Sequence, residues 1–328
     1  MKKIILFLSI IALFSCNQKQ DNLVILRGDA IGTTFTIRYL NPDNKNLDIK
    51  IEDIIKKVNK SISTYVPTSD ISKINKGDTS IVVDAYFKEV FLKSARIYKE
   101  TKGEFDPTVG VLVNAWGFGP GKRIENMDST KVKELLKYVG FDKVSLKNNK
   151  ISKQYPQTYF DFNAIAKGYL VDLVGRMFEN NKIPNYMVEI GGEIRARGIN
   201  QLGTPWRIAI ENPNTDGTRS INTNIKLLNE SIATSGNYRK FRIAKNGKKY
   251  VHTINPLTGF ATPSNLLSAS VISKSDCADV DGYATAFMAM GFEKAKTFLK
   301  NHPELKAFLI YADDNNKMKT YKTPNFTE

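Results

Sequence analysis

The chain is poor in thiols, imidazoles and long apolar runs. Its 328 residues include two cysteines, two histidines and two tryptophans. Cys16 stands at the end of an apolar leader and Cys277 in the body, so a processed chain keeps one thiol in its domain. That excludes an internal disulfide, whatever the compartment. One thiol and two histidines also argue against a zinc cage or a Cys/His nucleophile pair. The apolar run Ile4 to Phe14 is too short to span a bilayer comfortably. No internal repeat, low-complexity linker or composition break divides the sequence. No helix-turn-helix, zinc-finger or RNP-like pattern occurs, so nothing in the motifs points to nucleic acid.

What is present is ordinary for a globular protein: 41% hydrophobic and 25% charged residues. The formal charge is +15, carried by lysines scattered along the chain. Such an excess suits an anionic membrane surface, a nucleotide or a nucleic acid, but the scattering of the lysines favours a role in keeping the surface soluble. The N-terminus, "MKKIILFLSIIALFSC", has the shape of a secretory signal. Leu13-Phe14-Ser15-Cys16 resembles a bacterial lipobox, which implies cleavage before Cys16 and lipid on its thiol. Residues 1–15 are then a signal peptide, 16–26 a tether and 27–328 the domain. Loss of Lys2 and Lys3 removes two of the fifteen excess positive charges. Acyl chains together with a basic surface would anchor the protein firmly.

Helical spacing is expected over 47–60, 84–102, 129–138, 164–181 and 277–287. Strands are expected in "VILRGDAIGTTFTIRYL", broken at Gly28 and Gly32, and in "KVSLKNNKISK", "TYFDF", "NYMVEIGGEIRARG", "PWRIAIENP" and "LLSASVIS". A further hairpin is expected around Asn246-Gly247. Helices and strands mix without βαβ alternation, which makes the fold class α+β. One large mixed domain is the simplest assignment, with a division into two lobes left open.

Three stretches carry candidate chemistry. In "CADVDGYATAF", Asp281 and Thr285 are four apart and share a helix face among small residues, with Ser275 or Asp276 to cap the helix. A carboxylate and a hydroxyl so placed can offer two hard oxygens to Mg²⁺. Taken alone, a structural pair is the commoner outcome of that spacing. In "DFNAIAKGYLVD", Asp161 precedes a helix start and Lys167 lies near its first turn, a suitable place for a phosphate. The glycines and Lys-Ser/Thr pair of a Walker motif are absent. In "YVHTINPLTG", His252 and Ile254 share a strand face and can line a pocket. His302, in "KNHPE", reads as a surface residue. Trp116 and Phe118 can stack on a ring, although core packing is the default for them.

Together these segments resemble the ApbE family, the FAD:protein FMN transferases. The matching stretches are "IGTTFTI", "STYVPTSDISKIN", "FDPTVGVLVNAWGFGP", "DFNAIAKGYLVD", "VEIGGEIRARG", "IATSGNYRKF", "HTINPLTG" and "DGYATAF", in order from about residue 31 to 291. The resemblance implies cleavage of the FAD pyrophosphate and transfer of FMN to a threonine hydroxyl of a target protein, with AMP released. It implies an Mg²⁺ site from Asp281, Thr285 and the Ala164 carbonyl. It implies FAD contacts at Ile31, Tyr65, Asp106, Pro107, Thr108, Asp161, Lys167 and Ile254. His252 is the candidate for deprotonating the acceptor, and Asp281 the rival for that role. The implied partner is a redox-complex flavin subunit with an Asp-Gly-x-Thr-type segment. The implied location is the bacterial cell envelope, lipid-anchored at the inner membrane and facing the periplasm. Three positions depart from the family: Ile31 where methionine is usual, and Asn237 and Asn255 where aspartate is common. None of the three is an implied metal ligand. Two other readings use the same FAD site, a pyrophosphatase giving FMN and AMP and a flavin-binding lipoprotein without chemistry.

Overall fold

The structure is a computed structural model, and it describes residues 22–41, 43–214, 216, 218–237, 241–243, 249–261 and 263–328. The leader, Cys16 and the Asn246-Gly247 turn lie outside the described residues. The chain opens with a hairpin of β1 (Leu23–Ala30) and β2 (Thr33–Leu40). Helices α1 (Asp48–Ile62), α2 (Asp70–Asn75), α3 (Ala85–Glu100), α4 (Gly110–Ala115) and α5 (Ser129–Leu136) follow. A small ribbon of β3 (Val144–Lys147) and β4 (Lys150–Lys153) leads to α6 (Asn163–Asn180). Next come β5 (Tyr186–Ile190), β6 (Glu193–Arg197), β7 (Trp206–Glu211), β8 (Ile221–Leu227) and β9 (Glu230–Gly236). The remainder is β10 (Phe241–Ile243), β11 (Lys249–Val251), β12 (Leu266–Ser273), α7 (Cys277–Met290), α8 (Phe292–Lys300), β13 (Lys306–Ala312) and β14 (Met318–Lys322).

Eight strands form one sheet in the order β1-β2-β5-β6-β9-β12-β13-β14, every neighbouring pair antiparallel. With helices packed on that antiparallel sheet, the fold is α+β. Alternation along the strands splits the core between two faces. Tyr186, Val188, Ala269, Val271, Ala307 and Leu309 face α1, α3, α6 and α7 in the main core. Met187, Ile272, Phe308 and Ile310 face the other way, where the separate β7–β8 ribbon covers them with Trp206, Ile210, Ile225 and Leu227. A third apolar cluster joins α4 and α5 to the segment after β11, through Leu112, Trp116, Phe118, Val132, Ile254 and Ala261.

Four expectations change. Gly28 does not break the first hairpin: it sits inside β1 opposite Phe35, and a Cβ there would fall 2.8 Å from the Phe35 ring. The turn is Ile31-Gly32, both with positive φ, 43° and 79°. "TYFDF" is not a strand, since only an isolated bridge ties Tyr159 to Val109. The Asn75 side chain replaces a neighbouring strand there, accepting from the Phe160 N–H at 2.7 Å and donating to its carbonyl at 2.9 Å. α4, "GVLVNA", forms inside the glycine-broken stretch "FDPTVGVLVNAWGFGPGK" and has too few residues to show helical periodicity. β11 ends at Val251, so His252 and Ile254 lie on the following loop rather than on a strand face.

Candidate active site

A cavity of about 760 Å³ opens where the first hairpin, α1, α6, α7 and the loop after β11 converge. That is within the range of small-molecule and cofactor sites, toward its upper end. Ile31, Tyr65, Asp106, Pro107, Asp161, Ala164, Lys167, His252, Ile254, Asp281 and Thr285 all line it. Thr108 does not. It is fully buried behind the wall, where its hydroxyl donates to Asp106 Oδ1 at 2.6 Å and accepts from the Gly140 N–H at 2.8 Å. Trp116 is also wall rather than lining, with Nε1 bonded to the Gly259 carbonyl at 2.9 Å, whereas Phe118 reaches the cavity.

The short residues of α7 explain how its carboxylate reaches α6. A Cβ at Gly168 would fall 2.5 Å from the Cys277 carbonyl oxygen, so glycine is required where the two helices touch. At that contact the Gly168 N–H donates to Asp281 Oδ2 at 3.0 Å. In a regular helix that N–H would serve the Ala164 carbonyl. Asp281 is 2% exposed, and burial raises the pKa of its carboxyl. Four residues on, the Thr285 hydroxyl lies 3.2 Å from Ser235 Oγ of β9. Asp281 and Thr285 therefore project to one wall, as helical spacing dictates.

Lys167 is paired, through a residue that sequence reading does not single out. Its Nζ lies 2.5 Å from Glu193 Oε1 at the start of β6. Burial alone would lower the lysine pKa, but the charges of Glu193 and Asp281 outweigh it and keep the ammonium protonated. Glu193 is 1% exposed, and its other oxygen has no hydrogen bond among the described residues. Burial raises its carboxyl, opposed by Lys167. Only the position of Glu193 right after the Gly191-Gly192 turn hinted at a place near the site.

The anchoring of α7 rests on Asp172, which lies within "DFNAIAKGYLVD" although sequence reading gives it no role there. Asp276 occupies the N-cap position but makes no capping bond. Asp172 of α6 takes that role: Oδ1 accepts from the Cys277 N–H and Oδ2 from the Ala278 N–H, both at 2.8 Å. Arg195 Nη1 then bridges Asp172 and Asp276 at 2.8 Å each. Asp276 also pairs with Lys93 and Arg176. Cys277 is a free, buried thiol at the same end.

The loop "FDPTVG" lies beside the start of α6, where the Pro107 carbonyl accepts from the Asp161 N–H at 2.7 Å, and is fixed from within. Asp106 accepts from Thr108 with one oxygen and from the Phe141 N–H with the other, at 3.1 Å. Burial nonetheless raises its pKa to about 6. Asp161 accepts from the Asn163 N–H at 2.8 Å, which shapes the start of α6. Asn255 orders the loop carrying His252 and Ile254. Its Oδ1 accepts from the Leu257 and Thr258 N–H groups, and its amide donates to the Ala289 carbonyl at 3.0 Å and to Glu104 at 3.2 Å. An aspartate here could not donate to either. The other asparagine departure, Asn237, is buried, and its Oδ1 has no partner among the described residues. No group of three or more His, Cys, Asp or Glu arranged to hold a metal occurs among the described residues. His302 lies away from the site, stacked on Phe298 and 2.9 Å from Glu304.

Known proteins match along nearly the whole chain. A relative from Haemophilus influenzae named FAD:protein FMN transferase is 39% identical, covering 93% of this chain and 91% of its own. One of the same name from Vibrio cholerae is 36% identical, covering 97% and 96%. Among solved structures, the flavin transferase ApbE from Vibrio cholerae aligns with a TM-score of 0.84 at 34% identity, covering 93% of this chain and 98% of that one. The apo flavinyl transferase ApbE of Pseudomonas stutzeri aligns at 0.80 and 28% identity, covering 93% and 96%. The model of the ApbE family spans residues 31–309, and the chain belongs to that family.

Proposed function

We propose that the cavity binds FAD and that the enzyme transfers its FMN to a hydroxyl of a target protein, releasing AMP. The observation that carries this reading is one wall holding a buried carboxylate, a hydroxyl four residues on and a lysine kept charged, in a cavity of about 760 Å³. The pyrophosphate of FAD is dianionic, and Lys167 supplies a fixed positive charge beside it. Ile31, Ile254 and Phe118 offer apolar surface suited to the isoalloxazine ring. His252, which lines the cavity, is the base we assign to the attacking hydroxyl, with Asp281 the alternative.

The reaction calls for Mg²⁺, and the residues present fit it. Asp281 Oδ2 accepts one hydrogen bond and Oδ1 none among the described residues. The Thr285 hydroxyl and Ala164 carbonyl line the same cavity. These are hard oxygen donors, too few for a complete protein cage, which suits an ion that also takes substrate phosphates and water. Bound there, Mg²⁺ would neutralise pyrophosphate charge and favour departure of AMP.

The same reading extends to the acceptor and the location. The acceptor is a redox-complex flavin subunit with an Asp-Gly-x-Thr-type segment. The leader "MKKIILFLSIIALFSC" supports a lipid anchor on Cys16 at the periplasmic side of the inner membrane. The test incubates the purified chain with FAD, Mg²⁺ and such an acceptor domain, and weighs the acceptor. A gain of one FMN, absent with EDTA and reduced at least ~100-fold in Asp281→Ala, is expected. Release of free FMN and AMP with no gain would replace the transferase by a pyrophosphatase. FAD retained without either product would leave a flavin-binding protein.

A further inference from the structure

Strand alternation separates two sides at the site's end of the large sheet. Glu193 and Ser235 point to the helices, where they meet Lys167 and Thr285. Thr34, Glu189, Ile194 and Thr234 have the opposite parity and point toward the β7–β8 ribbon. On that side lies a second cavity, of about 700 Å³. Thr34, Glu189, Gly192, Ile194 and Asn212 line it and do not line the first.

The two cavities share Thr33, Gly191 and Thr234. These residues place the junction at the reacting end of the first cavity. A Cβ at Gly191 would fall 3.0 Å from Lys167 Cδ and 2.8 Å from Thr33 Cγ2, so the turn lies directly against the lysine stem. Thr234 precedes Ser235, whose hydroxyl touches Thr285. A molecule seated in the second cavity therefore approaches the charged wall around the sheet's end. Its polar lining, with Glu189 holding the Gly192 N–H at 2.8 Å and Thr33, Thr34 and Thr218 around it, suits a peptide backbone better than an aromatic ring.

We propose that this second cavity docks the hydroxyl-bearing segment of the acceptor protein, which reaches the FMN phosphorus past the Gly191 turn. The proposal rests on the transferase reading. In the step it serves, the acceptor oxygen forms a bond to the FMN phosphorus. The bridging P–O bond breaks, AMP leaves with the bridging oxygen, and the hydroxyl proton passes to the base on the first cavity's wall. No oxidant or reductant enters. Lysine, carboxylate and turn thus belong to both substrates, while Thr34 and Ile194 belong to the acceptor alone.

The test fills the second cavity and reads the two substrates separately. Thr34→Tyr keeps a good strand former at an exposed position, and Ile194→Phe enlarges a partly buried one. Each full-length variant is assayed with FAD and Mg²⁺, with and without an acceptor domain carrying an Asp-Gly-x-Thr segment. Both are expected to raise the acceptor KM ~10-fold or more, with FAD affinity and acceptor-independent AMP release unchanged. Retained FAD affinity shows that the variants are folded. Wild-type acceptor KM in both variants overturns the docking site and leaves the transferase reading standing. An equal fall in FAD affinity also overturns it, because the effect then lies in the first cavity. If the wild-type enzyme forms no FMN–acceptor adduct, the transferase reading itself fails and takes this proposal with it.

Discussion

Ile31 holds a backbone conformation that its side chain disfavours. With φ at 43°, it is a β-branched residue in the left-handed region, at the tip of the β1–β2 turn. Adjacent positive φ values at Ile31 and Gly32 describe a tight hairpin turn in which Asn-Gly is the usual pair. Such a residue costs on the order of 1–2 kcal/mol there, and strain of this kind collects where a side chain serves a ligand. Ile31 lines the first cavity, so the cost is explained if its apolar surface faces the flavin. Ile31→Asn is therefore expected to raise stability by about 1 kcal/mol while weakening FAD binding several-fold. Thermal unfolding of the apo protein and fluorescence titration with FAD check the two halves. A variant that is less stable, or that binds FAD as the wild type does, would remove the link between strain and ligand. Sequence shows the Ile-Gly pair but not the sign of φ, so glycines at 28 and 32 look alike until pairing tells which one turns.

Helix α7 carries Asp281 and Thr285, and its position depends on charges supplied by other elements. Its first turn is capped by Asp172 across 105 residues of sequence, and Asp276 is gripped by Lys93, Arg176 and Arg195. Burial would raise the Asp276 pKa, but those three cations outweigh it and hold the carboxyl well below the usual carboxylate range. The unfolded chain then binds that proton more tightly than the folded one. The stabilisation is complete above the unfolded carboxylate pKa of about 4 and drains away as the pH falls below it. Asp276→Asn should lower stability at neutral pH by about 2–4 kcal/mol and flatten the loss of stability on the acid side. Urea denaturation at a series of pH values measures both, and an unchanged acid slope would show that Asp276 is not the group responsible. Local patterning made α7 and α6 legible, because small-residue contact and helical spacing are short-range. The cap was not, because Ser275 and Asp276 satisfy the local rule while the bond comes from a distant helix. "TYFDF" misleads for a related reason: it has a strand's residues, yet Asn75 satisfies its backbone and its aromatic rings fill the core.

At the scale of the whole molecule, the described domain contains no helix long and apolar enough to cross a membrane. Attachment through the leader and attachment through surface charge make different predictions. A positive surface attracts anionic lipid, but that attraction is screened over about 10 Å at 0.1 M salt. A lipid on Cys16 is indifferent to salt, and two acyl signals or one with a basic surface suffice for stable anchoring. The cavity wall that holds Asp281, Thr285 and Lys167 is complete within the domain's own helices α6 and α7. Cys16→Ala is thus expected to move the protein to the soluble fraction at 0.5 M salt (about a fivefold excess over the screening condition) while turnover with a soluble acceptor domain stays within about twofold of wild type. Fractionation with and without salt, and incorporation of a labelled fatty acid, separate the two attachments. Label on the Cys16→Ala variant, or membrane retention that survives high salt, would disprove the thiol anchor. Release of the wild type by salt alone would leave charge as what holds it. A salt-resistant wild type with a soluble, active variant would place the FMN donor at the membrane surface, where only acceptors that present a hydroxyl on the same side can be modified.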